Sequence, residues 1–227
     1  IGGISLESAL ATGSVIISRG DSEITETDTE QVIQNCEQAI PQHTAINRKV
    51  IHAIPLHYKI DGKIALGRPV GMKGVRLEAR TLFITALEQH VNDMIQAIEE
   101  AGVEVLDVMA APLAASLVTL SRPQKIAGVV LANIGAETVS IVVFENNIPV
   151  SLQVFPLGST DITNDLALGL KISLSDAEAL KTGASGMPYA RKHFDEIIAA
   201  RISDILELIE VHLKKIGKNG LLPAGIV

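Results

Sequence analysis

The chain has 227 residues, enough for one large domain or two small ones. Its net charge is −7 and it has no long basic run, which excludes nucleic acid as a main partner. Hydrophobic residues make up 47% and aromatics only 3%, so the core is expected from Ile, Val, Leu and Ala, as suits an α/β protein with largely buried strands. The single cysteine, Cys36, excludes an intrachain disulfide, and no stretch approaches the roughly 18–20 apolar residues of a membrane-spanning helix.

Ile4–Leu10 has no decisive pattern, Ser14–Ser18 reads as a strand and Gly20-Asp21 as a turn. Thr27–Ile40 is predicted as a helix. Thr27 and Glu30 have capping-box spacing, Val32, Ile33, Cys36, Ala39 and Ile40 form a stripe, and Pro41 stops it. Lys49–Ile60 reads as a strand whose internal Pro55 demands an edge or a bulge. A turn at Asp61-Gly62, a Gly- and Pro-bearing loop at Gly67–Gly74 and a strand at Glu78–Leu87 follow. Glu88–Ala101 is helical, with Val91, Met94, Ile95 and Ile98 on one face and Gly102 as its stop. Val103–Met109 is predicted as a strand, Ala111–Leu120 as a short helix with Pro112 in its first turn, and Ser121–Lys125 as a linker.

From Lys125 to Phe155 the pattern is strand, tight loop, strand, turn, strand. Gly128–Ala132 and Thr138–Phe144 are short β-branched apolar runs broken by Asn133–Glu137. Ile148–Phe155 returns after Asn146-Asn147, a residue type that tolerates the left-handed region. Such a loop holds phosphate with backbone N–H groups and a Thr hydroxyl; the ordinary alternative is a core hairpin whose Gly135 only makes the turn. Gly158–Asp161 leads into a helix through Leu170, a second helix starts at Ser175 with Glu178 at capping-box spacing, and Gly183–Pro188 is a loop. From Arg191 to Ile216 the residues Ile198, Ile202, Ile205, Ile209, Leu213 and Ile216 keep helical spacing, with Gly217 beyond the end. Leu221–Val227 is predicted to start a new buried element. The chain opens on Ile1 and closes in what reads as a strand being entered, so both ends are expected to be cut through structure.

Side-chain chemistry is sparse. No Cys/His cluster, HExxH, GxSxG or GxxxxGK[ST] pattern occurs. His52 and His57, five apart in a strand region, are expected on opposite faces. Glu178 and Lys181 sit three apart on one helix face, either as a surface ion pair beside a cap or as a pair that touches a sugar or purine. Arg201, Asp204, Glu207, Glu210 and Lys214 give the last helix a charged face, for solvent or for a partner groove.

Seven stretches in order resemble the FtsA family of bacterial actin-like cell-division proteins over nearly the whole chain. They are HAIPLHYKID (His52–Asp61), RPVGMKGVRLEAR (Arg68–Arg80), Glu99–Leu120 ending in AAPLAASLVTL, ANIGAETVSIVVF (Ala132–Phe144), GSTDITNDLALGL (Gly158–Leu170), SDAEALK (Ser175–Lys181) and EIIAARISDILELIE (Glu196–Glu210), the last followed by LLPAGIV. The resemblance implies an α/β chain with an actin-like (ribonuclease-H-like) fold. Residues 1–102 correspond to the 1C (SHS2) lobe of that family, 103–124 to part of subdomain 1A, and 125–157 to subdomain 2A with its second phosphate loop. Residues 158–220 correspond to helical subdomain 2B, and 221–227 to the start of a return strand in 2A.

The resemblance also implies ATP with Mg²⁺, self-association into filaments, the FtsZ C-terminal tail on 2B and other divisome proteins at the 1C lobe. It implies a place at the cytoplasmic face of the cell membrane, at the septum, reached through a C-terminal helix outside these residues. By matched position Asn133, Gly135, Thr138 and Gly158 line the phosphates, Glu178 and Lys181 match an ExxK pair that contacts the nucleoside, and Arg201 lies where the FtsZ tail is received. The loop departs from the family's DxGxGTxD-like pattern, since Asn133 and Ser140 are neutral. Nucleotide binding with at most weak ATPase activity is therefore expected, with no catalytic residue. A PilM-like pilus-assembly protein and an actin-fold sugar kinase are the alternatives, and Asn133 and Ser140 argue against the kinase.

Overall fold

The computed structural model describes residues 1–41, 45–184 and 191–227. β1 (Glu7–Ile16), β2 (Arg48–Ile60), β3 (Lys63–Ile64) and β4 (Arg76–Leu87) form an antiparallel sheet in the order β1-β4-β2-β3. β5 (Val129–Ile134), β6 (Val139–Glu145) and β7 (Ile148–Phe155) form a second, in the order β5-β6-β7. The helices are α1 (Glu26–Gln38), α2 (Glu88–Glu100), α3 (Ala111–Thr119), α4 (Arg122–Ala127), α5 (Ser159–Leu170), α6 (Leu174–Lys181) and α7 (Arg191–Lys215).

In the first sheet, alternation sends Leu77, Ala79 and Phe83 of β4 to one face, where they pack with Ala11 of β1 and with Val32 and Cys36 of α1. The helix lies close because β1 has no side chain at Gly13; a Cβ there would sit 2.5 Å from the Cys36 backbone nitrogen. Leu82 and Ile84 point the other way, toward Val91, Leu113 and the second sheet.

The cap of α1 is Thr25, not Thr27, and its box partner is Asp28, not Glu30. Asp28 wins because its carboxylate accepts from both the N–H and the hydroxyl of Thr25, each at 2.7 Å, and also pairs with Arg19. Arg19, then Thr25, hold that carboxyl down to about 2, against an ordinary value of 3.8. A depressed carboxyl contributes stability above its unfolded value and loses it as pH falls through the folded one. D28N is expected to remove up to about 2 kcal/mol at neutral pH and only a small part of that near pH ~2, where the folded carboxyl is half protonated. Urea denaturation at the two pH values checks this; equal losses at both refute it.

Several other expectations change. β1 is one continuous strand through both Leu10 and Ser14. Pro55 does sit at a bulge, between the Pro55 and His57 pairings, and β3 covers only the last two residues of β2 on its outer side. That bulge resets the alternation. His52 lies opposite Ile84 and His57 opposite Arg80, so the two histidines share a face instead of lying on opposite ones.

Val103–Met109 is not a strand. No ladder forms along it among the described residues, and Leu106 is 87% exposed. Ser121–Lys125 is no linker: Ser121 and Gln124 form a capping box that starts α4. The predicted loop Gly183–Pro188 lies outside the described residues from 185 onward.

The second sheet is covered on both faces, which explains its unbroken apolar runs. Leu131, Val142, Phe144 and Leu152 meet the first sheet's core, while Val130, Val139, Ile141 and Val143 meet Ile205, Ile209 and Leu213 of α7. Asn146 and Asn147 take φ of 51° and 65°, the double left-handed turn expected of them. Residues 225–227 run parallel beside β5, with Val130 donating to Gly225 and Val227 donating to Val130, both at 2.9 Å. Leu221, Ile226 and Val227 are exposed there, not buried as expected.

Candidate functional site

β5 and β6 are joined by four residues, Gly135 to Thr138, closed by a hydrogen bond from Gly135 N–H to Thr138 O at 2.9 Å. The carbonyls of Gly135 and Ala136 point away from the hairpin and accept from the N–H groups of Ser159 (2.9 Å) and Thr160 (2.8 Å), the first residues of α5. The N-terminus of α5 is thus docked onto the loop. Gly158 makes this approach possible, because a Cβ there would lie 2.4 Å from Ala136 O and 2.7 Å from Gly135 O. Asp161 completes the cap by accepting from Gly158 N–H at 2.8 Å.

With its carbonyls turned onto α5, the loop leaves its N–H groups on the other side. Those of Ala136, Glu137 and Thr138 have no hydrogen-bond partner among the described residues, nor has the Thr138 hydroxyl. Successive free N–H groups at a turn form an anion-binding concavity. Asn133, at the exposed end of β5 opposite Ser140, adds a side-chain amide with no partner among the described residues, and Glu137 is exposed. Sequence reasoning named Gly135 and Thr138 but missed Ala136 and Glu137, whose contribution is backbone and leaves no side-chain signal.

Glu178 and Lys181 lie behind the α5 terminus. Lys181 uses all three ammonium protons, donating to Ser159 O (3.1 Å), Thr163 Oγ1 (2.8 Å) and Glu178 Oε2 (2.7 Å). The Thr163 hydroxyl donates to Glu178 at 2.6 Å. Lys181 first, then Thr163, hold the Glu178 carboxyl below its ordinary range. The expected Ser175–Glu178 capping box is absent because Ser173 caps α6, accepting from Asp176 N–H at 3.1 Å, which frees Glu178 for this cluster. Half of the Glu178 side chain is open to solvent, whereas Lys181 is 17% exposed. Glu178 is therefore the group presented outward and Lys181 the one that positions it.

Gly135, Thr138, Gly158, Glu178 and Lys181 are brought together through Ser159, with Asn133 at the margin. Arg201 is not part of this cluster. It grips Asp165, further along α5, through two bonds at 2.7 and 2.9 Å, and approaches Asp204 at 3.4 Å. Asp165 first, then Asp204, raise its already high pKa. No cluster of three metal-ligating side chains exists among the described residues. The donor set fits an anion; among the described residues, the loop itself offers a divalent cation only Asn133 Oδ1, the Thr138 hydroxyl and the exposed Glu137 carboxylate, with Asp161 at the neighbouring cap. A cavity of about 790 Å³ lies elsewhere, at the Asn146 end of β6, opposite to the loop.

Residues 3–85 match the family described as "SHS2 domain inserted in FTSA", and residues 130–213 the family described as "Cell division protein FtsA". "Cell division protein FtsA" of Bacillus subtilis (strain 168) is 30% identical over 237 residues, covering 95% of this chain and 53% of the relative. Its counterpart in Escherichia coli (strain K12) is 28% identical over 244 residues, covering 95% and 57%. A solved chain of a PilM–PilN type IV pilus biogenesis complex matches with a TM-score of 0.62 at 18% identity, over 92% of this chain and 55% of that one, a likeness of fold alone. The chain spans about half the length of the curated relatives it matches.

Proposed function

Because this chain belongs to the FtsA family of bacterial cell-division proteins, with an actin-like fold, we propose that it carries one wall of an ATP cleft within a division scaffold. The three unpartnered N–H groups of Ala136, Glu137 and Thr138 support this reading most directly, since they offer donors and no acceptor to a phosphate. Glu178, aimed by Lys181 and Thr163, faces the ribose or base, whose hydroxyl and amino protons a carboxylate accepts. Asn133 Oδ1 and the Thr138 hydroxyl would be the neutral oxygens the loop offers to Mg²⁺ bound with the nucleotide, which would offset the charge of the phosphates. Asn133 and Ser140 cannot take a proton from water, so the site binds ATP and hydrolyses it poorly.

K181M is expected to weaken ATP about tenfold by releasing Glu178, in a titration of a fluorescent ATP analogue. Unchanged affinity in the folded variant refutes the nucleoside role. If Asn133 is what limits hydrolysis, N133D raises phosphate release.

In the same reading the scaffold self-associates into filaments, meets other divisome proteins through residues 1–102, and holds the acidic FtsZ tail near the α5–α7 seam, at the inner membrane face. Arg201 is already bidentate with Asp165, so it meets that tail by sharing its guanidinium or by exchanging Asp165 for a tail carboxylate. R201A is expected to weaken an FtsZ tail peptide several-fold, and equal binding by a folded variant removes Arg201 from this role.

A further inference from the structure

A groove crosses the open end of the first sheet to the bend in β7 and the last turn of α7. Its main cavity, about 790 Å³, continues into another of about 360 Å³, and the two share Leu10, His57 and Arg80. Together they exceed about 1,000 Å³, the upper end of small-ligand pockets. The register explains the opening. β4 is buried from Thr81 to Ala86, but Arg80, opposite Thr12, emerges beyond the cover that β7 and α2 provide. β7 carries its bulge alongside, with Val150 as the extra residue between the Pro149 and Ser151 pairings, and a bulged strand bends.

The floor is apolar, made by Leu10, Leu56 and Leu82. Its rim is cationic. Lys59, Arg80 and Lys215 have no carboxylate partner among the described residues, whereas the carboxylates nearby are spent: Glu145 on Lys218 at 2.6 Å and Glu78 on Arg76 at 2.9 Å. In a chain of net charge −7 such a local excess of positive charge is specific. It is felt by His57, whose pKa is lowered by burial first and then by Arg80 and Lys59.

We propose that this groove docks an acidic peptide segment of a partner protein, its apolar side chains on the Leu10–Leu82 floor and its carboxylates on Lys59, Arg80 and Lys215. A peptide fits better than a compact anion because the cations are spread along a trough with an apolar base. This site is separate from the Arg201 seam and from the nucleotide loop.

The test pans a display library of short random peptides against the 227-residue chain, subtracting binders of an R80E/K215E variant. Arg80 and Lys215 are exposed and unpaired, so circular dichroism should show both forms folded, and R80Q/K215Q provides a milder second variant. Selected peptides are expected to interleave Asp or Glu with apolar residues and to lose more than about tenfold in affinity on charge reversal. They should also weaken with added salt and raise the His57 titration midpoint on binding. A consensus without acidic residues, affinity indifferent to both variants, or displacement of the peptides by inorganic pyrophosphate at matched ionic strength overturns the proposal.

Discussion

Replacing Gly158 by alanine is expected to lift α5 off the 135–138 loop, destabilise the protein by about 1–3 kcal/mol, and abolish ATP binding at the proposed site. The backbone at Gly158, with φ −166° and ψ −160°, is extended and open to any residue, so the cost is contact, not conformation. The atoms a Cβ would meet are main-chain ones, Ala136 O at 2.4 Å and Ala136 C at 2.6 Å, and these cannot rotate aside. Relief requires separating the two segments, which breaks the bonds from Ser159 and Thr160 to the loop carbonyls. Those bonds orient the free N–H groups, so affinity and stability fall together. S159A, which keeps the backbone donor, is the control. A G158A protein with wild-type stability and wild-type ATP affinity would refute both the docking and its role.

Phe83→Ala is expected to cost about 3–5 kcal/mol. Phe83 is fully buried between β4 and α1, in a chain with only four phenylalanines and no tryptophan. β4 is central, paired with β1 on one side and β2 on the other, so the cavity lies where neither neighbour can close it without losing register. Against a typical total of about 5–15 kcal/mol, this removes a large share. F83L, which keeps most of the volume, should cost about 1.5 kcal/mol or less. Urea denaturation of both variants decides; a loss under about 1 kcal/mol for F83A would show that the lobe repacks freely.

Much of this architecture is legible in the sequence where one local signal suffices. The β5–β7 hairpins follow from β-branched runs separated by Asn146-Asn147, and α7 from its apolar spacing. The elements that differ from the sequence expectation depend on partners far away in the chain. Val103–Met109 has strand composition, but a strand needs a neighbour and composition cannot supply one. Thr25 and Thr27 are near-equivalent caps until Arg19 is seen to hold Asp28. Ser173 and Ser175 pose the same ambiguity two residues apart. His52 and His57 share a face because one residue is spent in a bulge, which no period-two reading counts.

At the candidate site, the sequence shows the glycines and the Glu178–Lys181 spacing. The resemblance to FtsA supplied their meaning. Neither shows that the groups this loop leaves without a partner among the described residues are the N–H donors of Ala136 and Glu137, since every residue carries one. Asp165, 36 residues before Arg201, likewise gives no local sign that it occupies that guanidinium.

The long helix α7 changes company along its length. Phe194, Ile197 and Ile198 pack on Leu166 and Ala177 of α5 and α6, while Ile205, Ile209 and Leu213 pack on the β5–β7 sheet. Its 25 residues form a rod of about 37 Å with no proline within it. Such a rod carries no proline kink between its two attachments. If ligand at the loop shifts α5, the Asp165–Arg201 pair passes the displacement to α7, which rotates as a whole about its seat on the sheet. Spin labels at the two ends of α7 should then hold their separation with and without ATP, while a pair from α5 to β7 changes; the reverse pattern would show that the rod bends.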